Sequence, residues 1–264
     1  MTDAAQDGSP RDPAFALDGR VALISGSTRG IGAAIAEEFA AAGAEVLLTG
    51  RNPSDAQPVI DRIIERGGRA QAFGYEASES GAPQRLMDAV ASLHNKIDVL
   101  VNNAAVLRPH TIGKLTESEF DEIFGVNTRA ALFLCQAAHP LLVRSETPSI
   151  VNITAACAHR PMRGLGAYCA SKAAMLNFTS TLAQEWARDG IRVNALTPGS
   201  VATDMILPKD PDKRATFEAD MANQNLLGRL ADPVEIARAV RFLASPAASF
   251  MTGQTLIVDG GFLA

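Results

Sequence analysis

Tyr168-Cys169-Ala170-Ser171-Lys172 sets a phenol and an amine four residues apart, a spacing that puts both on one face of a helix. An ammonium beside a phenol favours the phenolate and lowers a tyrosine pKa from about 10. Such a pair can exchange a proton with an alcohol or carbonyl oxygen. The spacing alone is common, and on an isolated surface helix it would be no more than a solvated pair. A second feature far upstream changes the reading. Ser25-Gly26-Ser27-Thr28-Arg29-Gly30-Ile31-Gly32 follows an apolar strand and opens a helix. Glycines let a backbone turn sharply and approach a ligand closely. The helix start offers unpaired N–H groups and the positive end of the dipole, a seat for an anion such as pyrophosphate. None of the four histidines stands at zinc-ligand spacing from another ligand, so no metal is expected.

Both features need a scaffold, and apolar runs of strand length alternate with helical stretches along the chain. The strand candidates are Val21–Ser25, Glu45–Thr49, Ala70–Gly74, Asp98–Asn102, Ser149–Thr154, Ile191–Thr197 and Thr255–Val258. Most are continuous apolar runs, the signature of strands covered on both faces of a parallel sheet. Between them, Ile31, Ala34, Ile35, Phe39 and Ala42 recur at helical spacing, as do Met175, Leu176, Thr179, Leu182 and Trp186. Asp232-Pro233 reads as an N-cap followed by proline in the first turn. Alternation of this kind predicts an α/β fold, a doubly wound parallel sheet of about seven strands. With no linker or composition shift, residues 18–264 read as one domain. The Pro- and charge-rich stretch Ser200–Asn225 follows a strand end and reads as a lid or binding loop.

Composition narrows the class. The chain has 264 residues, 47% hydrophobic and 20% charged, with a formal net charge of −5. That is an ordinary globular balance, without the basic face that nucleic acid requires. No apolar stretch approaches the roughly 18 residues of a membrane span. Three cysteines without a CxxC pair suit a reducing compartment. Residues 1–17 lack the apolar segment of a signal peptide and read as a flexible arm, so a cytoplasmic location is expected.

The Gly-x-x-x-Gly-x-Gly spacing of Gly26, Gly30 and Gly32 resembles the short-chain dehydrogenase/reductase superfamily. Further segments resemble it in the same order along nearly the whole chain from about Asp18. Asn102-Asn103-Ala104-Ala105 is similar to the family's Asn-Asn-Ala-Gly, with alanine in place of the last glycine. Tyr168-x-x-x-Lys172, Pro198-Gly199-Ser200-Val201-Ala202-Thr203 and the C-terminal Thr252-Gly253-Gln254 and Val258-Asp259-Gly260-Gly261 also match. The resemblance implies a Rossmann-type sheet in the order 3-2-1-4-5-6-7, bound NADP(H), and interconversion of a ketone and its secondary alcohol. It implies cofactor contacts from Gly26, Ser27, Thr28, Arg29, Gly30, Ile31, Gly32, Asn103, Ala104, Pro198, Gly199, Val201 and Thr203, as well as Tyr168 and Lys172. Tyr168 would give the proton, Lys172 would lower its pKa and hold the ribose, and Asn127 would carry a water relay. The resemblance also implies a homotetramer joined through helices around Ala130–Leu142 and Tyr168–Arg188 and the last strand. An acidic residue at the end of the second strand would bind the ribose 2′-hydroxyl of NAD. Arg51 stands there instead, and with Arg29 it suits the extra phosphate of NADP.

One position departs. The family's catalytic serine precedes the tyrosine by thirteen residues, and that position is Ala155. Loss of one hydroxyl donor costs about a hundredfold to a thousandfold in rate. Three readings compete: Thr154 takes the role through a slipped register; the site works without it; or the protein is a non-catalytic NADP-binding sensor or scaffold. Among enzymes, a 3-oxoacyl-thioester reductase is the alternative. Arg108, His110, His159, Arg160 and Arg163 flank the expected pocket, and either face an anionic substrate or point to solvent or a partner subunit.

Overall fold

The computed structural model describes residues 12–264. Seven strands form one parallel sheet: β1 (Val21–Ile24), β2 (Glu45–Gly50), β3 (Arg69–Gly74), β4 (Val99–Asn102), β5 (Ser149–Ile153), β6 (Arg192–Pro198) and β7 (Thr255–Val258). Their order is β3-β2-β1-β4-β5-β6-β7, as expected. Eight α-helices flank the sheet among the described residues: α1 (Gly30–Ala41), α2 (Gln57–Glu65), α3 (Ala82–Ala91), α4 (Glu117–Phe124), α5 (Ala131–Leu142), α6 (Gly166–Trp186), α7 (Pro211–Ala222) and α8 (Pro233–Ala244).

Strand alternation divides the core into two layers. Ala22, Ile24, Val46, Leu48, Val99 and Val101 pack on one face with α1, α2 and α8. Leu23, Leu47 and Leu100 pack on the other with α3, α5 and α6. Successive strand side chains point to opposite faces, and burial on both faces explains the unbroken apolar runs. Every residue of β4 and β5 is buried. The first catalytic candidates therefore follow the most completely covered part of the sheet.

One expectation changes and a second gains an element. Residues 1–11 of the expected arm lie outside the described residues, but 12–17 are not loose. Leu17 is fully buried in the α1 layer, its N–H donates to Ala42 O at 2.9 Å, and Ala14 O accepts from Ala247 N–H at 2.8 Å. The stretch expected as a lid, Ser200–Asn225, contains α7. Asp210 caps that helix by accepting from Asp212 N–H and Lys213 N–H, and Pro211 follows in the first turn. None of α7 is buried, so it stands off the core.

Candidate active site

The glycine turn is built for close approach. Gly26 and Gly30 have positive φ, 65° and 57°, where other residues are strained. A Cβ on Gly32 would collide with Gly26 O and lie 2.5 Å from Asn103 Nδ2. Arg29 begins α1 without a side-chain cap, and the first turn holds no acidic residue, so its N–H groups remain available to an anion. Ser27 is different from its neighbours. It is wholly buried, its hydroxyl donates to Ile24 O at 2.9 Å and accepts from Thr49 N–H at 2.9 Å. Its side chain shapes the turn from within. Ser25, which the sequence reading did not single out as a site residue, accepts from both Asn103 N–H (2.9 Å) and Ala104 N–H (3.0 Å). Asn103 Nδ2 donates to Ser25 O and Gly26 O. The ends of β1 and β4 are thus locked together.

A cavity of about 600 Å³ begins beside this turn, at Thr28, Arg29, Gly30 and Thr203, and runs along the outer face of α1 past Glu37 and Arg62. Thr28 packs close to Gly50 at the end of β2, where a Cβ would come within 2.5 Å of Thr28 Cγ2. Arg51 is the next residue. Arg29 and Arg51 are both exposed, and the ion pairs of the described residues involve neither. Beyond β6, Gly199 allows the chain to pass Asp259, whose Cα would lie 2.8 Å from an added Cβ, and its N–H donates to Val258 O. Val201 is buried and bridges to Ala231. Ile31 is partly buried against the α1 layer. The glycine cradle, the uncapped helix start and the two unpaired guanidinium groups fit a dinucleotide with an additional phosphate.

Tyr168 and Lys172 sit in the first two turns of α6, as predicted, and are 8% and 3% exposed. Lys172 Nζ lies 6.0 Å from the Tyr168 ring centroid and donates to Ile153 O at 2.8 Å. Burial lowers the amine to about 8, partly opposed by Cys157. The expected lowering of Tyr168 is not found. Burial raises its phenol, and the nearby thiols of Cys157 and Cys169 push the same way. Desolvation of the anion is the largest cause, and the Lys172 ammonium six ångströms from the ring does not offset it.

A buried polar chain fixes α6 against the sheet. Asn102 Nδ2 donates to Asn152 Oδ1, Asn152 Nδ2 to Thr179 Oγ1, and Thr179 Oγ1 to Met175 O. Asn127 lies in a π-helical turn, Gly125–Ala130, between α4 and α5, a deformation common at functional sites. Asn127 accepts from Val106 N–H and donates to Val106 O and to Ser171 Oγ. Ser171 in turn donates to Tyr168 O at 2.7 Å. Ser171 escaped the sequence reading of the site because its partners come from a distant element.

The geometry corrects the expectation for Thr154. Ala155 is extended, φ −162° and ψ 152°, so neighbouring side chains point oppositely. Ala155 packs with Tyr168, Cys157 and Cys169. Thr154 turns toward β6, donating to Leu196 O at 3.1 Å and lying 2.7 Å from Thr197 Oγ1. Its hydroxyl is engaged on the β6 side, which argues against a role as the serine's stand-in. Nor do the flanking cations form a free cluster. Arg108 makes two hydrogen bonds to Glu122, and the Arg160 guanidinium lies 3.9 Å above the Phe262 ring. His159 Nε2 is 3.2 Å from Thr197 Oγ1.

The sequence matches the family model described as enoyl-(acyl carrier protein) reductase over residues 26–263. It is 33% identical over 245 residues to the 3-oxoacyl-[acyl-carrier-protein] reductase FabG of Chlamydia pneumoniae, covering 93% of this chain and 97% of that protein. It is 36% identical over 254 residues to a tropinone reductase homolog of Datura stramonium, covering 95% and 94%. A crystal structure of 3-oxoacyl (acyl-carrier-protein) reductase from Agrobacterium tumefaciens, with NADP bound, superposes with a TM-score of 0.89. That chain is 36% identical, and the match covers 97% of this chain and 99% of that one. Taken with the seven-stranded order, the glycine turn and the Tyr168–Lys172 pair on α6, these matches establish that the chain belongs to the short-chain dehydrogenase/reductase superfamily.

Proposed function

We propose that this protein is an NADP(H)-dependent oxidoreductase that reduces a ketone or oxidises the matching secondary alcohol, working with Ala155 at the position where the family resemblance implies a serine. The observation that carries the proposal is the pairing of a buried Tyr168–Lys172 couple with an uncapped, glycine-lined helix start. NADP(H) supplies or accepts the hydride when bound. Gly26, Thr28, Gly30, Ile31 and Gly32 would hold its pyrophosphate on the start of α1, with Ser27 shaping the turn. Arg29 and Arg51 would pair with the 2′-phosphate. Asn103, Ala104, Pro198, Gly199, Val201 and Thr203 would line the remainder.

Tyr168 would give its phenolic proton to the carbonyl oxygen. Burial raises that phenol, so the proton is in place at neutral pH, which suits the reductive direction. Lys172, lowered only to about 8, remains an ammonium there and supplies positive charge beneath the phenol. Asn127 would return the proton through water. Thr154 would support the end of β5 from the β6 side. The segment 200–225, with α7, would close over the substrate as a lid.

Exposed Phe133 on α5 and Ile257 on the edge strand β7 support a homotetramer as the assembly, and light scattering of the purified protein tests it. Three free cysteines support a cytoplasmic site of action. No helix among the described residues is long and apolar enough to cross a membrane. Ala155 favours one rival reading, an NADP-binding sensor or scaffold. NADPH consumption across a panel of ketones and 3-oxoacyl thioesters separates the two. Turnover that disappears in Tyr168→Phe supports the enzyme. Saturable NADPH binding with no turnover on any member supports the rival.

A further inference from the structure

The helix that carries Tyr168 begins without a local cap. Leu165 is its N-cap residue and offers no side-chain acceptor, and no acidic residue lies in the first turn. Three helices, α4, α7 and α8, are capped by nearby side chains, whereas α1, α2, α3 and α5 share with α6 the lack of a side-chain cap. Thr116 with Glu119 closes α4, Asp232 with Glu235 closes α8, and Asp210 caps α7. The first N–H groups of a helix need partners from outside it, and on α6 one of them finds a distant histidine. Ala167 N–H donates to His110 Nε2 at 3.4 Å.

The second ring nitrogen fixes the proton. His110 Nδ1 lies 2.7 Å from Arg108 O. A carbonyl only accepts, so Nδ1 carries the hydrogen and Nε2 is bare, free to accept from Ala167. One neutral tautomer satisfies both contacts. The backbone holds the ring in place, since His110 N–H donates to Gly164 O at 2.7 Å and His110 bridges to Leu165. Two residues on, the same loop meets the helix start again. A Cβ on Gly166 would lie 2.6 Å from Ile112 Cδ1.

We infer that His110 is a positioning residue, a side-chain cap that clips the loop after β4 to the first turn of α6 and so sets the orientation of Tyr168. The phenol belongs to the residue immediately after the capped amide. The loop also contains Val106, which Asn127 holds by two hydrogen bonds, so the clip joins both sides of the candidate site. A shift of this loop on substrate entry is thereby passed to the proton donor. The catalytic consequence rests on the oxidoreductase reading proposed above, whereas the cap itself does not.

The test uses the full-length protein and its His110→Ala and His110→Gln variants. In ¹⁵N-histidine spectra of the unaltered protein, His110 shows a protonated Nδ1 and a bare Nε2. His110→Ala exchanges the Ala167 amide about tenfold faster, a size typical of a lost cap. Its kcat falls about tenfold while KM for NADPH is unchanged. His110→Gln retains an acceptor and returns both quantities to within about threefold of the original. A protonated Nε2 would overturn the inference. So would an unchanged Ala167 exchange rate in His110→Ala. A loss confined to KM for the ketone, not rescued by glutamine, would make His110 a substrate contact and also overturn it. If no ketone is turned over, the enzyme reading fails by itself, and the tautomer and exchange rate still decide the cap.

Discussion

Replacing Lys172 by methionine should change how stability responds to alkali. In the folded chain burial lowers this amine from 10.5 to about 8. Between those values the unfolded chain holds a proton that the folded chain has released, so stability rises with pH across the interval. The whole interval corresponds to about 3 kcal/mol, and the portion between about pH 7 and about pH 9.5 to about 2 kcal/mol. The methionine variant lacks the group, and the Cys157 thiol that interacts with it is raised by burial and stays protonated over this range in both folded proteins. The stability of the original protein minus that of Lys172→Met should therefore grow by about 2 kcal/mol from about pH 7 to about pH 9.5. Urea unfolding at the two pH values, at fixed protein concentration and without cofactor, measures it. Parallel curves would refute the reasoning, because they would mean that Lys172 is not held in a desolvated site. The same burial makes the lysine a local cost to the fold near neutral pH, accepted where its charge serves the phenol.

Three further perturbations test other parts of the site. Arg29→Ala and Arg51→Ala should each weaken NADPH binding by about 1.5–3 kcal/mol, measured by titration calorimetry, with NADH binding almost unchanged; equal losses for both cofactors would remove these residues from the 2′-phosphate. Ala155→Ser adds a hydroxyl beside Tyr168 and should raise kcat by up to about a hundredfold in steady-state assays, whereas a rate unchanged or lower would show that the site has been rebuilt around alanine. Gly32→Ala forces a methyl group against Gly26 O and Asn103 Nδ2 and should cost about 1–3 kcal/mol of stability in thermal unfolding, along with measurable NADPH affinity.

The sheet was legible because β4 and β5 are buried on both faces and are built mainly of Val, Leu and Ile, with Asn102, Ser149 and Asn152 as their polar residues. β3, with Arg69 and Gln71, is only partly covered, and its first residue escaped the reading. The helix α7 was missed although Asp210-Pro211 is a clear start signal, because proline and charge suggested a loop. Thr154 illustrates a different failure. Strand alternation alone puts it opposite Ala155, so the sequence already argued against its replacing serine. The tyrosine shift was misjudged because burial depends on tertiary packing that a four-residue spacing does not reveal. The His110 and Ser171 contacts join elements 57 and 44 residues apart, and nothing in either local segment announces them.

Transfer of label from NADPH deuterated at the nicotinamide C4 tests the central claim most directly. The protein is incubated with labelled cofactor and the ketone panel, and product alcohol is examined by mass spectrometry alongside Tyr168→Phe. The account predicts one deuterium on the carbinol carbon, with the rate falling about a hundredfold or more in the phenylalanine variant while NADPH still binds. Saturable NADPH binding with no deuterated product from any ketone would contradict it, as would label transfer that persists undiminished without the Tyr168 hydroxyl.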